Sequence, residues 1–145
     1  MRITEIENIR QMMEKLLLKE DLDGFLLVEA VFNTRSRTEL DGALNQAFFD
    51  DDEREALNGR RFAYWGELRA VARELLKGKR LPVSFRIALM KETEEPDKCM
   101  LTFMYRENKL SLVSAMNHES FTMDREAERA WDEEALKLLE GWLEE

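Results

Sequence analysis

The sequence has little cysteine, proline, glycine or histidine. Its 145 residues include one cysteine, two prolines, six glycines and one histidine. The lone Cys99 excludes an intramolecular disulfide and is typical of a reducing compartment. So few prolines and glycines give no sign of a linker or a low-complexity segment. We therefore expect a single domain over residues 1–145, long enough to bury a sizeable core.

Long apolar runs are also absent. No run approaches the roughly 18 apolar residues that a membrane-spanning helix needs. The first ten residues, MRITEIENIR, have neither the apolar core nor the cleavage site of a signal peptide. Together with the single cysteine, these absences predict a cytoplasmic protein without a membrane partner. The acidic net charge of −9 repels nucleic acid at long range, so nucleic acid is a poor partner outside a local basic patch.

The motifs of common enzymes and metal sites are missing as well. The sequence contains no G-x-G-x-x-G, G-x-x-x-x-G-K-[ST], G-x-S-x-G, H-E-x-x-H or C-x-x-C. Zinc held by histidine and cysteine would need more than one of each. We therefore predict no catalytic residue, no cofactor and no metal site, although a site made of carboxylates alone stays open.

Three reactive or charged features have both a structural and a chemical interpretation. His118 could act as a general base with a carboxylate from Glu119 or Asp124, but its position between two predicted strands favours a turn residue. Cys99 begins the apolar segment CMLTFMY, which favours a buried thiol over a nucleophile. The acidic run at 50–53 lacks the spacing of a calcium loop and favours a solvated helix start.

Hydrophobic periodicity predicts three main helices. The first begins at a capping box formed by Thr4 and Glu7 and continues to a turn before residue 24. The second covers residues 64–77 and ends before a glycine. The third follows a cap at Asp124 and places its tryptophans on one apolar face.

Apolar segments between these helices predict strands. In GFLLVEAVFN both sides are mostly apolar, which indicates a central strand, and one side is expected to carry Leu26, Val28, Ala30 and Phe32. The other strands are predicted in TELDGALN, VSFRIALMK, 99–105, 110–116 and the short SFTM. The order α-β-β-α-β-β-β-α predicts an α+β fold. We expect a mainly antiparallel sheet of about five to six strands with the helices packed against it.

The sequence RRFAYWGELRAVARELLKGKR, residues 60–80, gathers seven basic residues and two acidic ones in an acidic chain. We call it the basic stretch. Arg69, Arg73 and Lys77 are spaced by four and form a stripe on the predicted helix, and Trp65 is within reach of Arg69 for stacking. The favoured interpretation is pairing with acidic segments such as 124–145, in the same molecule or in a homodimer.

Two other interpretations of the basic stretch stay open. Its charges could simply be solvated. Alternatively, Arg60, Arg61, Lys79 and Arg80 could extend the stripe into an anion site for phosphate or RNA. This last interpretation is the least favoured, because the overall charge opposes it and no aromatic-rich binding motif accompanies the patch.

Glu29 and Arg86 each interrupt an otherwise apolar predicted strand. A buried charge is costly unless it is paired, so the two could face each other across the sheet or point into a shared pocket for a small-molecule ligand. The alternative, which we favour, is that both lie on a side of the sheet that faces solvent.

Several short segments together resemble an uncharacterised bacterial family, a domain of unknown function. They are Asp41-Gly42, Trp65 with Leu68-Arg69, Lys77-Gly78-Lys79 with Pro82, Ser84 and Phe85, then Phe121, Thr122 and Asp124, and finally Ala130-Trp131-Asp132. The resemblance covers nearly the whole chain. It implies a small bacterial intracellular protein with no assigned activity, and it carries no functional residue across. The resemblance leaves two alternatives for Trp65, Arg69 and Asp132, a structural role in that family's shared framework or a functional one.

The leading hypothesis is a non-enzymatic binding or interaction protein that self-associates. Eight methionines and eight phenylalanines, with strands that are apolar on both sides, leave surface for an interface or a pocket. The alternative is a small enzyme or small-molecule-binding protein with a pocket on the sheet face. The candidate partner- or ligand-binding residues are Glu29, Arg86, Arg61, Trp65, Arg69 and Arg73.

Overall fold

The computed structural model describes residues 1–121 and 123–144 and contains one six-stranded sheet. The strands are β1 (Arg2–Ile6), β2 (Leu26–Asn33), β3 (Arg37–Asp41), β4 (Ser84–Met90), β5 (Lys98–Arg106) and β6 (Lys109–Asn117). Their order is β1-β6-β5-β4-β2-β3, and every neighbouring pair is antiparallel. The predicted α+β class with a mainly antiparallel sheet is confirmed.

Four helices accompany the sheet in the described part of the chain. They are α1 (Ile9–Leu17), α2 (Asp51–Ala56), α3 (Trp65–Leu76) and α4 (Glu126–Leu143), and a 3-10 turn at Gln46–Phe48 precedes α2. Helix α1 contacts both α3 and α4, while α3 packs on β2 and α4 on β6. These three helices therefore cover one face of the sheet. No helix among the described residues is long and apolar enough to cross a membrane.

The predicted start of the first helix is wrong. Residues 2–6 form β1 and pair with β6, so that Thr4 lies opposite Leu112 and Ile6 opposite Leu110. The helix begins after Asn8, whose side-chain oxygen accepts the backbone N–H of Gln11 at 3.1 Å. Pairing with a strand more than a hundred residues away outweighs the local capping-box pattern, because it buries Ile6 in the core.

Two local start and stop signals are confirmed. Asp50 caps α2 through a capping box with Glu53, since the Asp50 carboxylate accepts the Glu53 backbone N–H at 2.8 Å and the Glu53 carboxylate accepts that of Asp50 at 3.0 Å. Helix α3 ends before Gly78, which has a φ of +125°, a conformation that favours glycine. The acidic run is therefore a helix start.

The predicted side assignment of β2 is wrong at its beginning. A bulge between Leu27 and Glu29 shifts the register against β4. As a result Leu27, Ala30 and Phe32 are all fully buried beneath the helices, while Glu29 and Val31 lie on the opposite side. The strand is flanked by β3 and β4, so its predicted inner position in the sheet is confirmed.

The segment before α4 is not a strand where the structure describes it. Ser120, Phe121 and Met123 of the predicted strand SFTM pair with no other strand, and Thr122 lies outside the described residues. The Asp124 carboxylate accepts the backbone N–H of Glu126 at 2.9 Å, but the capping position of the helix is Arg125, one residue later than predicted. Helix α4 then buries the ring systems of Trp131 and Trp142.

Candidate binding surfaces

The sheet face opposite α1, α3 and α4 is largely uncovered, and we call it the open face. Ile3 and Met104 on this face expose 64% and 44% of their surface. Around them lie half-buried residues that are mostly apolar, namely Val31, Met100, Thr102, Val113 and Ala115. Contiguous apolar surface of this kind marks interaction sites in soluble proteins.

Glu29 and Arg86 are the charged residues in the middle of the open face. They come from the neighbouring strands β2 and β4, and Arg86 Nη1 lies 3.6 Å from Glu29 Oε2. Both side chains are nearly half exposed, at 45% for Glu29 and 46% for Arg86. The structure thus combines two of the expected arrangements, since the residues face each other across the sheet and also lie on a solvent-facing side. Their binding role stays a prediction.

The two edges of the sheet are short and charged. Strand β1 has the sequence RITEI and β3 has RTELD, five residues each. Short edge strands with charged side chains discourage pairing with the edge of another sheet. Association of the sheet with another surface is therefore favoured at its open face over its edges.

A groove of about 960 Å³ borders one corner of the open face. One wall is segment 56–64, which follows α2, and the other is segment 90–98, which connects β4 to β5. Leu26 lies between the walls, and an isolated bridge joins its backbone to that of Tyr64. Across the groove, the Tyr64 hydroxyl donates to Glu92 Oε2 at 2.7 Å. This hydrogen bond raises the pKa of Tyr64.

The groove is lined by four cations, of which Arg60, Lys91 and Lys98 are held by neighbours. Arg60 lies over the Tyr64 ring at 4.1 Å and donates to the Phe62 carbonyl at 2.9 Å. Lys91 donates to a carboxylate of α4, and Lys98 donates to the backbone carbonyls of residues 93 and 95. Arg61, the fourth, is exposed, and its side chain makes no hydrogen bond or ion pair within the described residues.

The match to a protein-family model decides the family of this chain. Residues 15–102 and 92–142, two overlapping segments that span most of the sequence, match the model described as Family of unknown function (DUF5721). The chain belongs to this family. No curated protein and no solved structure matches the chain. The expected membership of an uncharacterised family is confirmed, and the bacterial origin stays a prediction.

Three residues of the resemblance lie inside the matched DUF5721 segments and have internal partners. Trp65 is fully buried, and its indole donates to the Leu16 carbonyl at 2.8 Å. Arg69 makes two hydrogen bonds to Asp23, at 2.8 and 3.0 Å. Asp132 is buried and accepts the Ser114 hydroxyl at 2.6 Å. In this DUF5721 protein each of the three therefore has an internal partner, and the predicted binding role of Trp65 and Arg69 stays a prediction.

The predicted stacking of Arg69 on Trp65 is not observed. The guanidinium lies against the Asp23 carboxylate, which offers two acceptors in one plane and so matches its geometry better than a buried indole does. Sequence spacing within the helix could not reveal this partner, because Asp23 lies 46 residues earlier in the chain.

The basic stretch does not pair with segment 124–145 of the same chain where the structure describes both. Its two other ion pairs are local, from Arg60 to Glu67 and from Lys77 to Glu74. The acidic residues of α4 instead pair with the start of the chain and with β4's end: Met1 with Glu128, Arg2 with Glu133, and Lys91 with Glu134. Helix α1 lies between α3 and α4 and keeps the two charged groups apart. Segment 124–145 of the same chain is therefore the wrong partner, whereas Arg69 does pair with Asp23 in another segment, and pairing in a homodimer stays a prediction.

Arg73, a predicted binding residue, borders an apolar hollow of about 300 Å³ between α1 and α3. The hollow is lined by Met13, Leu17, Leu18 and Leu76, with Arg10 and Lys77 also at its border. Arg73 makes no ion pair within the described residues. It therefore presents an unneutralised charge beside exposed apolar surface, and its role stays a prediction.

His118 and Cys99 have structural surroundings. His118 Nδ1 lies 3.0 Å from Asp97 Oδ2, so its carboxylate partner is neither Glu119 nor Asp124. This contact, followed by the backbone N–H of Glu119, lowers the pKa of Asp97. Burial raises the pKa of the Cys99 thiol, which makes a reactive thiolate less favourable. Among the described residues no group of three or more acidic, histidine or cysteine side chains could hold a metal ion.

Proposed function

We propose that this DUF5721 protein is a non-enzymatic, cytoplasmic interaction protein, one domain over residues 1–145, that self-associates through its open face. The observation that carries the proposal is the uncovered apolar surface of the six-stranded sheet, with Met104 exposed on the inner strand β5 and Ile3 on the edge strand β1. A sheet whose three main helices cover one face leaves apolar side chains of the other face in contact with water. Burying these side chains against the sheet of a second copy removes them from water and so stabilises the dimer through the hydrophobic effect.

The size of the open face suits a homodimer. Six strands spaced about 4.8 Å apart span roughly 24 Å, and seven residues at about 3.3 Å each span roughly 23 Å along a strand. The flat area is roughly 550 Å², and side chains that protrude from it enlarge the accessible surface. A stable interface needs roughly 800 Å² of accessible surface from each partner, so the whole face would be used.

The charges of the open face are compatible with two-fold symmetry. In a two-fold dimer the same patch meets itself, so a residue that contacts another is contacted in return. Glu29 and Arg86 are the opposite charges in the middle of the patch, 3.6 Å apart. Because the two already lie 3.6 Å apart within one copy, burial of the patch in a dimer would leave neither charge without a partner.

Matched lysine substitutions test the proposed interface. Met104 on the open face and Val71 on α3 each expose 44% of their surface. We expect Met104→Lys to weaken the dimer at least about tenfold, a loss of about 1.4 kcal/mol of association free energy, because it brings an unpaired charge into the interface. Val71→Lys adds the same charge outside it and is expected to leave the dimer unchanged.

Sedimentation velocity on both variants, with circular dichroism to check folding, separates the outcomes. Equal dimerisation of the wild type and Met104→Lys would exclude the open face as the interface. Loss of the dimer in Val71→Lys alone would move the interface to the helical side of the molecule.

The alternative, a small enzyme or small-molecule-binding protein that uses Glu29 and Arg86, is supported by their contact on the open face. Glu29 borders a hollow of about 300 Å³ with Glu39 and Phe62, and Arg86 does not line it. Because the pair is half exposed, Glu29→Gln and Arg86→Met are each expected to change the free energy of unfolding by less than about 1 kcal/mol. Stable variants that lose a co-purifying ligand would support the alternative, whereas stable variants with weaker dimers would support the interface.

A further inference from the structure

The groove between segments 56–64 and 90–98 has walls that are held in place. The hydrogen bond from the Tyr64 hydroxyl to Glu92 joins the two walls. Backbone hydrogen bonds from Leu27 to Ala63 and from Ala63 to Gly42 fasten the first wall to the sheet, each at 2.8 Å. Its volume of about 960 Å³ lies near the upper end of the range typical of small-molecule sites.

The groove gathers cations in a chain of net charge −9. Its lining contains four cations and two carboxylates, and two of the cations are paired with carboxylates outside the lining, Arg60 with Glu67 and Lys91 with Glu134. Lys98 donates to two backbone carbonyls, and no carboxylate pairs with it among residues 1–121 and 123–144. The Arg61 side chain has no partner within the described part of the chain. A guanidinium without a partner at the edge of a concave surface is suited to bind a carboxylate, sulfonate or phosphate through two hydrogen bonds.

The groove also has an apolar side. Leu26 and Met90 lie at its base, where β2 and β4 pair, and Leu57 and Phe62 come from the first wall. Inorganic ions would gain nothing from these side chains, whereas a ligand with an apolar body would bury surface against them. The lining therefore combines an anion-binding residue with apolar contact area.

We propose that this groove binds a small organic anion with an apolar body, and that Arg61 binds its anionic group. The groove borders the open face at one corner, and neither Met104 nor Ile3 lines it, so substitutions at Arg61 and at Met104 test the two proposals separately. It is also distinct from a phosphate or RNA site along the whole basic stretch, since Arg73, Lys79 and Arg80 do not line it.

Two fluorescent probes that share one aromatic body test the proposal. 1-Anilinonaphthalene-8-sulfonate carries a sulfonate, and N-phenyl-1-naphthylamine is the same ring system without it. We expect the wild type to bind the sulfonate more tightly than the neutral probe. Arg61→Gln is expected to weaken sulfonate binding about tenfold, which corresponds to about 1.4 kcal/mol, and to leave binding of the neutral probe unchanged.

Arg80→Gln is the matched control. Arg80 belongs to the same basic stretch, is exposed, makes no ion pair among the described residues and does not line the groove. It is expected to bind both probes as the wild type does.

Equal losses of sulfonate binding in the Arg61→Gln and Arg80→Gln variants would overturn the proposal in favour of non-specific attraction to the basic stretch. Loss in Met104→Gln with no loss in Arg61→Gln would overturn it in favour of the open face. Octanoate, a carboxylate with an apolar chain, is expected to displace the sulfonate probe better than inorganic phosphate does. Equal displacement by the two anions would show that the apolar side of the groove contributes no affinity, which would also overturn the proposal.

Discussion

Gly42 follows β3 at the point where three backbone segments meet. Its N–H donates to the Val28 carbonyl at 3.1 Å, and its carbonyl accepts the N–H of Ala63 at 2.8 Å. A Cβ at this position would lie 1.7 Å from the Leu27 carbonyl oxygen and 2.6 Å from its carbon. The first distance is half of the 3.4 Å at which ordinary contact begins. Gly42→Ala therefore requires the backbone of β2 or of residue 42 to move.

The cost follows from the hydrogen bonds that such a movement would break. Three backbone bonds converge there, from Gly42 to Val28, from Ala63 to Gly42 and from Leu27 to Ala63. Each contributes about 0.5–1.5 kcal/mol net, so their loss or distortion should lower the free energy of unfolding by about 2–4 kcal/mol. At about 3–5 °C for each kcal/mol in a domain of this size, the melting temperature should fall by roughly 10 °C.

Gly24→Ala is the matched control for this prediction. A Cβ built at Gly24 meets no atom within 4 Å, and its backbone is not in the left-handed region. Alanine there restricts the unfolded chain, so the melting temperature should stay within a few degrees or rise, an effect below about 1 kcal/mol. Thermal and urea denaturation followed by circular dichroism measure both variants. Equal melting temperatures for Gly42→Ala and the wild type would refute the close approach of Gly42 to β2.

Three further predictions each test a single contact. Ser114→Ala removes the hydroxyl that donates to the buried carboxylate of Asp132, and it should lower the free energy of unfolding by about 1–3 kcal/mol in urea denaturation. The control Ser111→Ala, on the open face of the same strand, should lower it by less than about 0.5 kcal/mol. A double-mutant cycle with Asp23→Asn and Arg69→Gln should give a coupling of about 1 kcal/mol, since both side chains are mostly buried; additive losses would contradict the paired geometry. The contact with His118, followed by the backbone N–H of Glu119, lowers the pKa of Asp97 below its ordinary value of 3.8. The ionised carboxylate therefore stabilises the folded state above pH 3.8. This stabilisation is lost as the pH falls through the pKa that Asp97 has in the folded protein. Asp97→Asn should therefore flatten the dependence of melting temperature on pH below about pH 4, and an unchanged slope would count against this contact.

Local signals in the sequence predicted the helices and turns that depend on neighbouring residues. The acidic run became the capping box of α2, and the glycine at 78 ended α3. Alternation of apolar residues predicted β4, and the hairpin of β5 and β6 followed from two apolar segments with polar residues between them. Each of these features is determined within about ten residues of chain.

Features that depend on distant residues were missed or misjudged. Strand β1 exists because β6 offers it a partner, and residues 2–6 contain an equally good helix-capping signal. The bulge in β2 puts Leu27 on the buried side with Ala30 and Phe32, although simple alternation predicts it on the side of Glu29. No local pattern marks such a bulge, because the register with β4 determines it.

The candidate site was predictable only in part. Two interrupting charges in apolar strands correctly indicated that Glu29 and Arg86 could meet. The groove beside Arg61 could not be predicted, since its walls come from segments about thirty residues apart. The only sign of the groove in the sequence was the pair Arg60 and Arg61 at the start of the basic stretch. The structure shows that Arg60 has partners, whereas the Arg61 side chain has none among the described residues.

Sedimentation equilibrium of the unmodified chain, over a wide range of concentration and at low and moderate ionic strength, tests self-association through the open face most directly. An apolar interface is little affected by screening, so we predict the mass of a dimer at both ionic strengths. The mass of one chain at every concentration would contradict the account. A dimer that dissociates as salt rises would contradict it too, and would assign the association to the charges of the basic stretch.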